Sequence, residues 1–195
     1  MSNHFFAMHS RMKYINRWAL MRNTVTENIS EHSNDVAVIA HALAVINNVR
    51  FGGQLNAERA AFLGLYHDMT EIITGDMPTP VKYHSEDMRE AFQQVEDKAG
   101  RKLLSMLPED MTKYYESAFF KQEDDEYLWK IVKAADKISA LIKCIEEKNA
   151  GNNEFGKALE STEQSLKKMA LPEAQVFVDE FLPSFYLSLD EQNQG

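Results

Sequence analysis

Apolar residues return at three- and four-residue intervals through most of the chain, and little interrupts them. Over residues 30–48, Val36, Ile39, Ala40, Leu43 and Ile46 share one helical face. Over residues 125–149, Leu128, Val132, Ala135, Ile138 and Ile142 do the same. Strand-like alternation is sustained nowhere. Five prolines and eight glycines punctuate the 195 residues rather than permeate them. The pattern dictates an all-α fold. It predicts helices over residues 3–18, 30–48, 56–74, 125–149, 154–169 and 172–181, and a long one from residue 85 to a stop at Pro108. That long helix should turn Met88, Phe92, Val95, Ala99 and Leu103 inward. Asn56 is a good N-cap and Gly75 a stop. Residues 76–80 should be an extended loop, because residues before proline avoid the helical region. A polar link is expected over residues 22–29, and a frayed tail after Ser188.

The length suits one domain spanning residues 1–195, with core helices at about 30–149 and C-terminal helices at about 154–183 packed on them. A hydrophobic content of 44% supplies a core, and 26% charged residues supply a hydrated surface. No apolar run approaches the roughly 20 residues that span a bilayer, and the first residues lack a signal-peptide stretch. The single cysteine, Cys144, lies in an apolar helical run and builds neither a disulfide framework nor a thiolate metal site. These features predict a cytoplasmic protein without a membrane partner. The net charge of −9 argues against a nucleic-acid polymer as partner. It leaves room for a small anionic substrate, since a cation and one arginine can reverse the local field.

The informative residues are polar ones on apolar faces. His32 lies four residues before Val36 and seven before Ile39; His67 lies four after Leu63 and seven after Ala60; Asp136 lies four after Val132. Three helices thus each aim a potential ligand inward. Asp68 adjoins His67, and Glu71 follows one turn on. A buried aspartate is costly unless it is paired or binds a cation. One ion shared by His32, His67, Asp68 and Asp136 resolves that cost twice over. Two imidazoles and two carboxylates suit manganese, cobalt, iron or similar ions better than a structural zinc, which usually takes thiolates. Each piece alone has a plain structural reading, and it is the joint pattern that points to a metal.

The order His32, His67-Asp68, Asp136 resembles that of the HD superfamily of metal-dependent phosphohydrolases, which are helical bundles. Longer stretches resemble the bacterial HD-domain 5'-deoxynucleotidases. They are Ile15-Asn16-Arg17-Trp18, Glu27-Asn28-Ile29-Ser30-Glu31-His32-Ser33, Tyr66-His67-Asp68, Thr74-Gly75-Asp76-Met77-Pro78-Thr79-Pro80-Val81-Lys82, Ala150-Gly151-Asn152-Asn153-Glu154-Phe155, and the ending from Pro183 to Glu191. The resemblance covers nearly the whole chain. It implies a homodimer that removes phosphate from deoxyribonucleoside 5'-monophosphates with one divalent cation such as cobalt, manganese or copper.

By position, the resemblance makes His32, His67, Asp68 and Asp136 the ligands, with His32 and Asp136 also lining the substrate. It makes Arg17 the residue that orients the phosphate, Trp18 a substrate contact, Asp76, Met77, Pro78 and Thr79 a substrate loop, and Glu71 a carboxylate beside the metal. Trp18 is then an apolar wall near the sugar C2', Asp76 an acceptor for the 3'-hydroxyl, and Thr79 a contact to phosphate or base. Two alternatives stand beside this reading. One is another HD phosphohydrolase, acting on a nucleoside triphosphate, a cyclic nucleotide or an alarmone. The other is a metal-free helical regulatory module. The apolar segments around Phe177 to Tyr186 are candidates for a dimer surface.

Overall fold

The structure, a computed structural model, describes residues 3–82 and 84–193, without the side chain of Thr79. In chain order its α-helices are α1 (Phe5–His9), α2 (Ile29–Phe51), α3 (Ala57–Tyr66), α4 (Glu71–Thr74), α5 (Thr79–Lys82), α6 (Glu86–Leu104), α7 (Glu109–Phe119), α8 (Glu126–Asn149), α9 (Gly156–Met169), α10 (Pro172–Glu180) and α11 (Leu189–Gln192). Among the described residues the extended pairing is one isolated antiparallel bridge, between Asn16 and Asn28. Among the described residues no helix is long and apolar enough to cross a membrane. The all-α expectation holds.

Helix α2 is the spine. The Asn28 side chain accepts from the Ser30 and Glu31 amides, and Glu31 reaches back to the Asn28 amide, a capping box. Gly52, at φ +70°, ends the helix in the left-handed region that glycine tolerates. Helices α3 and α8 pack on α2. Val36, Ala40, Leu43, Leu63, Ile131, Ala135 and Ile138 fill the main apolar cluster, and Leu166, Ala174 and Phe177 extend it to α9 and α10. A second cluster gathers Phe5, Met12, Ile29, Met69, Leu103 and Leu104. His32 lies on α2 between Ile29 of the second cluster and Val36 of the first, and His67-Asp68 lies between Leu63 and Met69. The polar residues therefore mark the seam where the two clusters meet.

Helix α3 touches α2 through Gly64. A Cβ on Gly64 would fall 2.9 Å from the Ala37 Cα. Gly64→Ala is thus expected to force the helices apart, at roughly 1–3 kcal/mol for overpacking. That outweighs the gain in helix propensity of up to about 1 kcal/mol, so a thermal melt should show a lower Tm.

Six expectations need correction. The helix over 3–18 stops early: α1 gives way to a 3₁₀ turn, Ser10–Tyr14, and Ile15 is extended. Trp18 has φ +57°, outside any helix. The helix over 56–74 breaks after Tyr66, because Met69 N–H bonds to the Tyr66 carbonyl and Glu71 N–H to the Asp68 carbonyl, a three-residue spacing that tightens the chain. Fully buried Met69 anchors that turn, at roughly 1.5–3 kcal/mol for such a side chain. The 76–80 loop is not extended throughout, since Thr79 opens α5. Helix α7 follows Pro108 where no helix was expected, with proline as its N-cap. On α6, Phe92, Ala99 and Leu103 are buried as expected, but Met88 and Val95 are exposed. The tail is ordered as α11 by a Ser188–Glu191 capping box.

Candidate metal centre

The tightened turn after α3 swings His67 and Asp68 off the helix and toward α2. The Nδ1 of His67 lies 2.7 Å from the Gly64 carbonyl, to which only an N–H can donate. The proton is thereby placed on Nδ1, and the Nε2 lone pair faces inward. That Nε2 lies 3.1 Å from Asp68 Oδ2. His32 presents its own Nε2 at 3.5 Å from Asp68 Oδ2 and 3.2 Å from Asp136 Oδ1. One ligand atom each from His32, His67 and Asp68 lies within 4.8 Å of the others. Asp136, on α8, adjoins this group through His32.

Both Nε2 atoms are buried and make no hydrogen bond, and neither does Glu71 Oε2. Buried nitrogens that face carboxylates without hydrogen bonding are what a cation-binding cluster presents before its ion is counted. The donor set of two imidazoles and two carboxylates fits a divalent cation. Asp136 keeps 38% of its side chain exposed while His32 has none, so the cluster opens to solvent on the α8 side.

Among the four residues the two carboxylates are held low and His32 is held neutral, while Asp68 raises His67 against its burial. Burial alone would raise Asp68, but His67 and then His32 and Arg17 hold it well below the usual carboxylate range. Asp136 is held low against burial by His32 and Arg17. Burial, then the Arg17 charge, pushes His32 down to about 4, so its ring is neutral and able to ligate. Burial, then Asp68 and Asp76, pushes Glu71 far up.

A strap over residues 15–28 carries the next group. It is closed by Arg17 N–H to the Glu27 carbonyl and Ile29 N–H to the Ile15 carbonyl, both 2.9 Å. Arg17 reaches the Nδ1 of His32, which also lies 3.1 Å from Ser139 Oγ, and comes within 3.7 Å of Asp136. Trp18 packs its ring on Phe155, centroids 5.4 Å apart, and donates its indole N–H to Glu27. Burial raises the Asp76 carboxyl, and Arg17 and the Trp18 backbone N–H pull against that rise. Met77 and Pro78 follow Asp76, half-buried, and the Pro78 carbonyl accepts from Val81 and Lys82 as α5 begins. The Thr79 side chain lies outside the described residues.

The structure therefore gathers His32, His67 and Asp68, with Asp136 reaching the group through His32 at 3.2 Å, and Glu71, Arg17, Trp18 and Asp76 nearby. The expectation that three helices supply the ligands is corrected in one respect, since His67-Asp68 sits on a turn. Sequence reasoning passed over Glu27 as a contributor. Its signal is its place just before the Asn28 cap, but the bridge that folds it onto Arg17 has no local signature. It also passed over Lys143 and Glu147, one and two turns beyond Ser139 on α8.

A helical bundle that brings a histidine, a His-Asp pair and an aspartate together defines the HD-domain phosphohydrolase class. The solved HD-domain phosphohydrolase of Listeria innocua overlays this chain at a TM-score of 0.82 with 24% identity, covering 99% of this chain and 93% of its own. A Magnetospirillum magnetotacticum protein described as a "predicted metal-dependent phosphohydrolase" overlays it at a TM-score of 0.62 with 26% identity, covering 94% and 92%. The model of the family "5'-deoxynucleotidase YfbR-like" matches residues 4–185. The 5'-deoxynucleotidase YfbR of Salmonella paratyphi B is 50% identical over 192 residues, covering 98% of this chain and 96% of its own. The chain belongs to the 5'-deoxynucleotidase YfbR-like family.

Proposed function

We propose that this chain is a metal-dependent 5'-deoxynucleotidase that hydrolyses deoxyribonucleoside 5'-monophosphates to deoxyribonucleosides and phosphate. The observation that carries the reading is the convergence of His32, His67 and Asp68, with Asp136 3.2 Å from His32 and both imidazole Nε2 atoms left without hydrogen bonds. The half-identical Salmonella relative supports the substrate class.

In this reading the four residues hold one divalent cation, which supplies hydroxide near neutral pH and a positive charge against the phosphate. Arg17 offers a planar fork of donors matched to phosphate oxygens. For Nε2 of His32 to act as a ligand, its Nδ1 must carry the proton and donate to Ser139. Arg17, which can only donate, then leaves Nδ1 and turns to the phosphate. Trp18 is the wall beside C2', Asp76 accepts from the 3'-hydroxyl, and Met77, Pro78 and Thr79 complete the loop over the substrate. Glu71 orients the attacking water or passes a proton to the leaving 5'-oxygen. Glu71→Gln is expected to lower kcat about 100-fold, the scale of a lost general acid or base, with metal content unchanged. Equal losses of metal and rate would make it structural.

Cobalt, manganese and copper are the proposed ions, the mixed nitrogen and oxygen donors being the support. The proposed working form is a cytoplasmic homodimer of one HD domain per chain. Among the candidate contact residues, Phe177 is buried in the core, while Phe181 and Tyr186 stand nearly half exposed. The function is tested by phosphate release from dAMP, AMP, dATP and a cyclic nucleotide, each with manganese or cobalt. Release from dAMP well above the others is the expected result. Turnover of dATP or the cyclic nucleotide, and not dAMP, would move the chain to another HD activity.

A further inference from the structure

We propose that Glu27 is the positioning residue that binds Arg17 and Trp18 into one recognition unit, so that phosphate grip and sugar discrimination both depend on one carboxylate. The inference rests on the roles proposed above for Arg17 and Trp18.

Glu27 holds the pair at three points. Its carbonyl accepts the Arg17 amide at 2.9 Å. Its Oε2 accepts the Trp18 indole N–H at 2.8 Å and lies 3.4 Å from the Arg17 guanidinium. The carboxylate is well shielded, with 12% of its side chain exposed. Trp18 needs such a tether. Its φ of +57° is unusual for a bulky residue and persists only when its surroundings enforce it.

Charge gives the second argument. Four carboxylates act on Arg17: Glu27, Asp136, Asp68 and Asp76, with Glu27 the strongest. Asp68 and Asp136 belong to the metal cluster, and Asp76 to the substrate loop. A cation would draw the first two, and a sugar hydroxyl would engage the third. Glu27 is the one assigned neither to the cation nor to the sugar; its other oxygen lies 3.8 Å from His32 Nδ1, and it stays with Arg17 when the site is full. A guanidinium has five N–H donors, so one edge can rest on Glu27 while another meets a phosphate.

The test compares wild type, Glu27→Gln and Glu27→Ala on dAMP and AMP with the same metal. The glutamine amide oxygen still accepts the indole N–H but no longer pairs with Arg17 as a charge. Glu27→Gln should therefore raise KM for dAMP about tenfold, as expected for a lost charge-assisted hydrogen bond, and keep the dAMP-to-AMP preference within about twofold of wild type. Glu27→Ala should lower kcat/KM for dAMP about 100-fold and carry the preference toward one. Metal content should match wild type in both. If either variant slows dAMP and AMP by one common factor with KM unchanged, or loses its ion, Glu27 only supports the strap and the proposal fails. If Glu27→Ala does not fold, the KM of Glu27→Gln decides. A wild type inactive on dAMP overturns the underlying function. A wild type that prefers dAMP, with the preference intact in Glu27→Ala, overturns this inference alone.

Discussion

His67→Ala is expected to empty the metal centre and cut phosphate release from dAMP by roughly 1,000-fold or more, at least the scale of removing one preorganised group that acts on transition-state charge. His67 is the informative ligand because its tautomer is set independently of any ion. The Gly64 carbonyl, 2.7 Å from Nδ1, places the lone pair on Nε2, and Nε2 has no hydrogen bond to lose. The fold should survive with a lower Tm, since the loss is the Gly64 hydrogen bond, worth about 1 kcal/mol, together with the Asp68 contact at 3.1 Å and the ring contact with His32. Metal affinity should fall by more than the roughly 10–100-fold that follows loss of a mere supporting partner. Metal analysis beside a thermal melt checks this. A variant that keeps its ion, or loses activity only in proportion to Tm, would show His67 to be a core histidine.

The second large effect lies away from the chemistry. Lys143 and Glu147 form a buried pair on α8, with 4% and 1% of their side chains exposed and 2.5 Å between Nζ and Oε1. Lys143 also donates to the Val25 carbonyl. Glu147 takes the Thr24 amide at 2.9 Å and the Thr24 hydroxyl at 2.6 Å, and Asn152 at 2.7 Å. The strap that carries Arg17, Trp18 and Glu27 is thus stapled to the helix that carries Asp136. Lys143→Met leaves the Glu147 charge buried without its partner. The expected loss is roughly 3–5 kcal/mol, a fall in Tm of roughly 10 °C at about 2–4 °C per kcal/mol for a chain of this size. KM for dAMP should also rise, because the strap is released.

Acidity gives an internal check on that loss. Burial pushes the Glu147 carboxyl up, yet Lys143, Thr24 and Asn152 hold it well below the usual carboxylate range. A carboxyl depressed in the fold contributes stability that is present above its unfolded value and is lost as pH falls through its folded value. Wild type and Lys143→Met should therefore differ fully near neutrality and converge only in strong acid. A Tm within 2 °C of wild type at pH 7, measured by calorimetry, would show that the staple contributes little.

The helices were legible because their physics is local. Val36, Ile39, Ala40 and Leu43 repeat at helical spacing, and that spacing sets which face can be buried. His32 and Asp136 were legible for the same reason, each lying on an apolar face. His67-Asp68 was found in place but on the wrong element. The break after Tyr66 comes from Met69 seeking the second apolar cluster, and no short window encodes a tertiary anchor. Trp18 was assigned to a helix because its neighbours have helical propensity. The Asn16–Asn28 bridge and the bond to Glu27 override that propensity, and both join residues about ten apart or more. Helix α7 was missed because its moderate apolar face follows Pro108, read as a stop when it is also a start.

The central claim is that one divalent ion, held by His32, His67, Asp68 and Asp136, is required to hydrolyse a deoxyribonucleoside 5'-monophosphate. Its most direct test is to strip the protein of metal and follow phosphate release from dAMP as manganese or cobalt is titrated back. The account predicts no release from the stripped protein and a rise that saturates at one ion per chain. Full activity in the stripped protein, with no response to added ion, would contradict it.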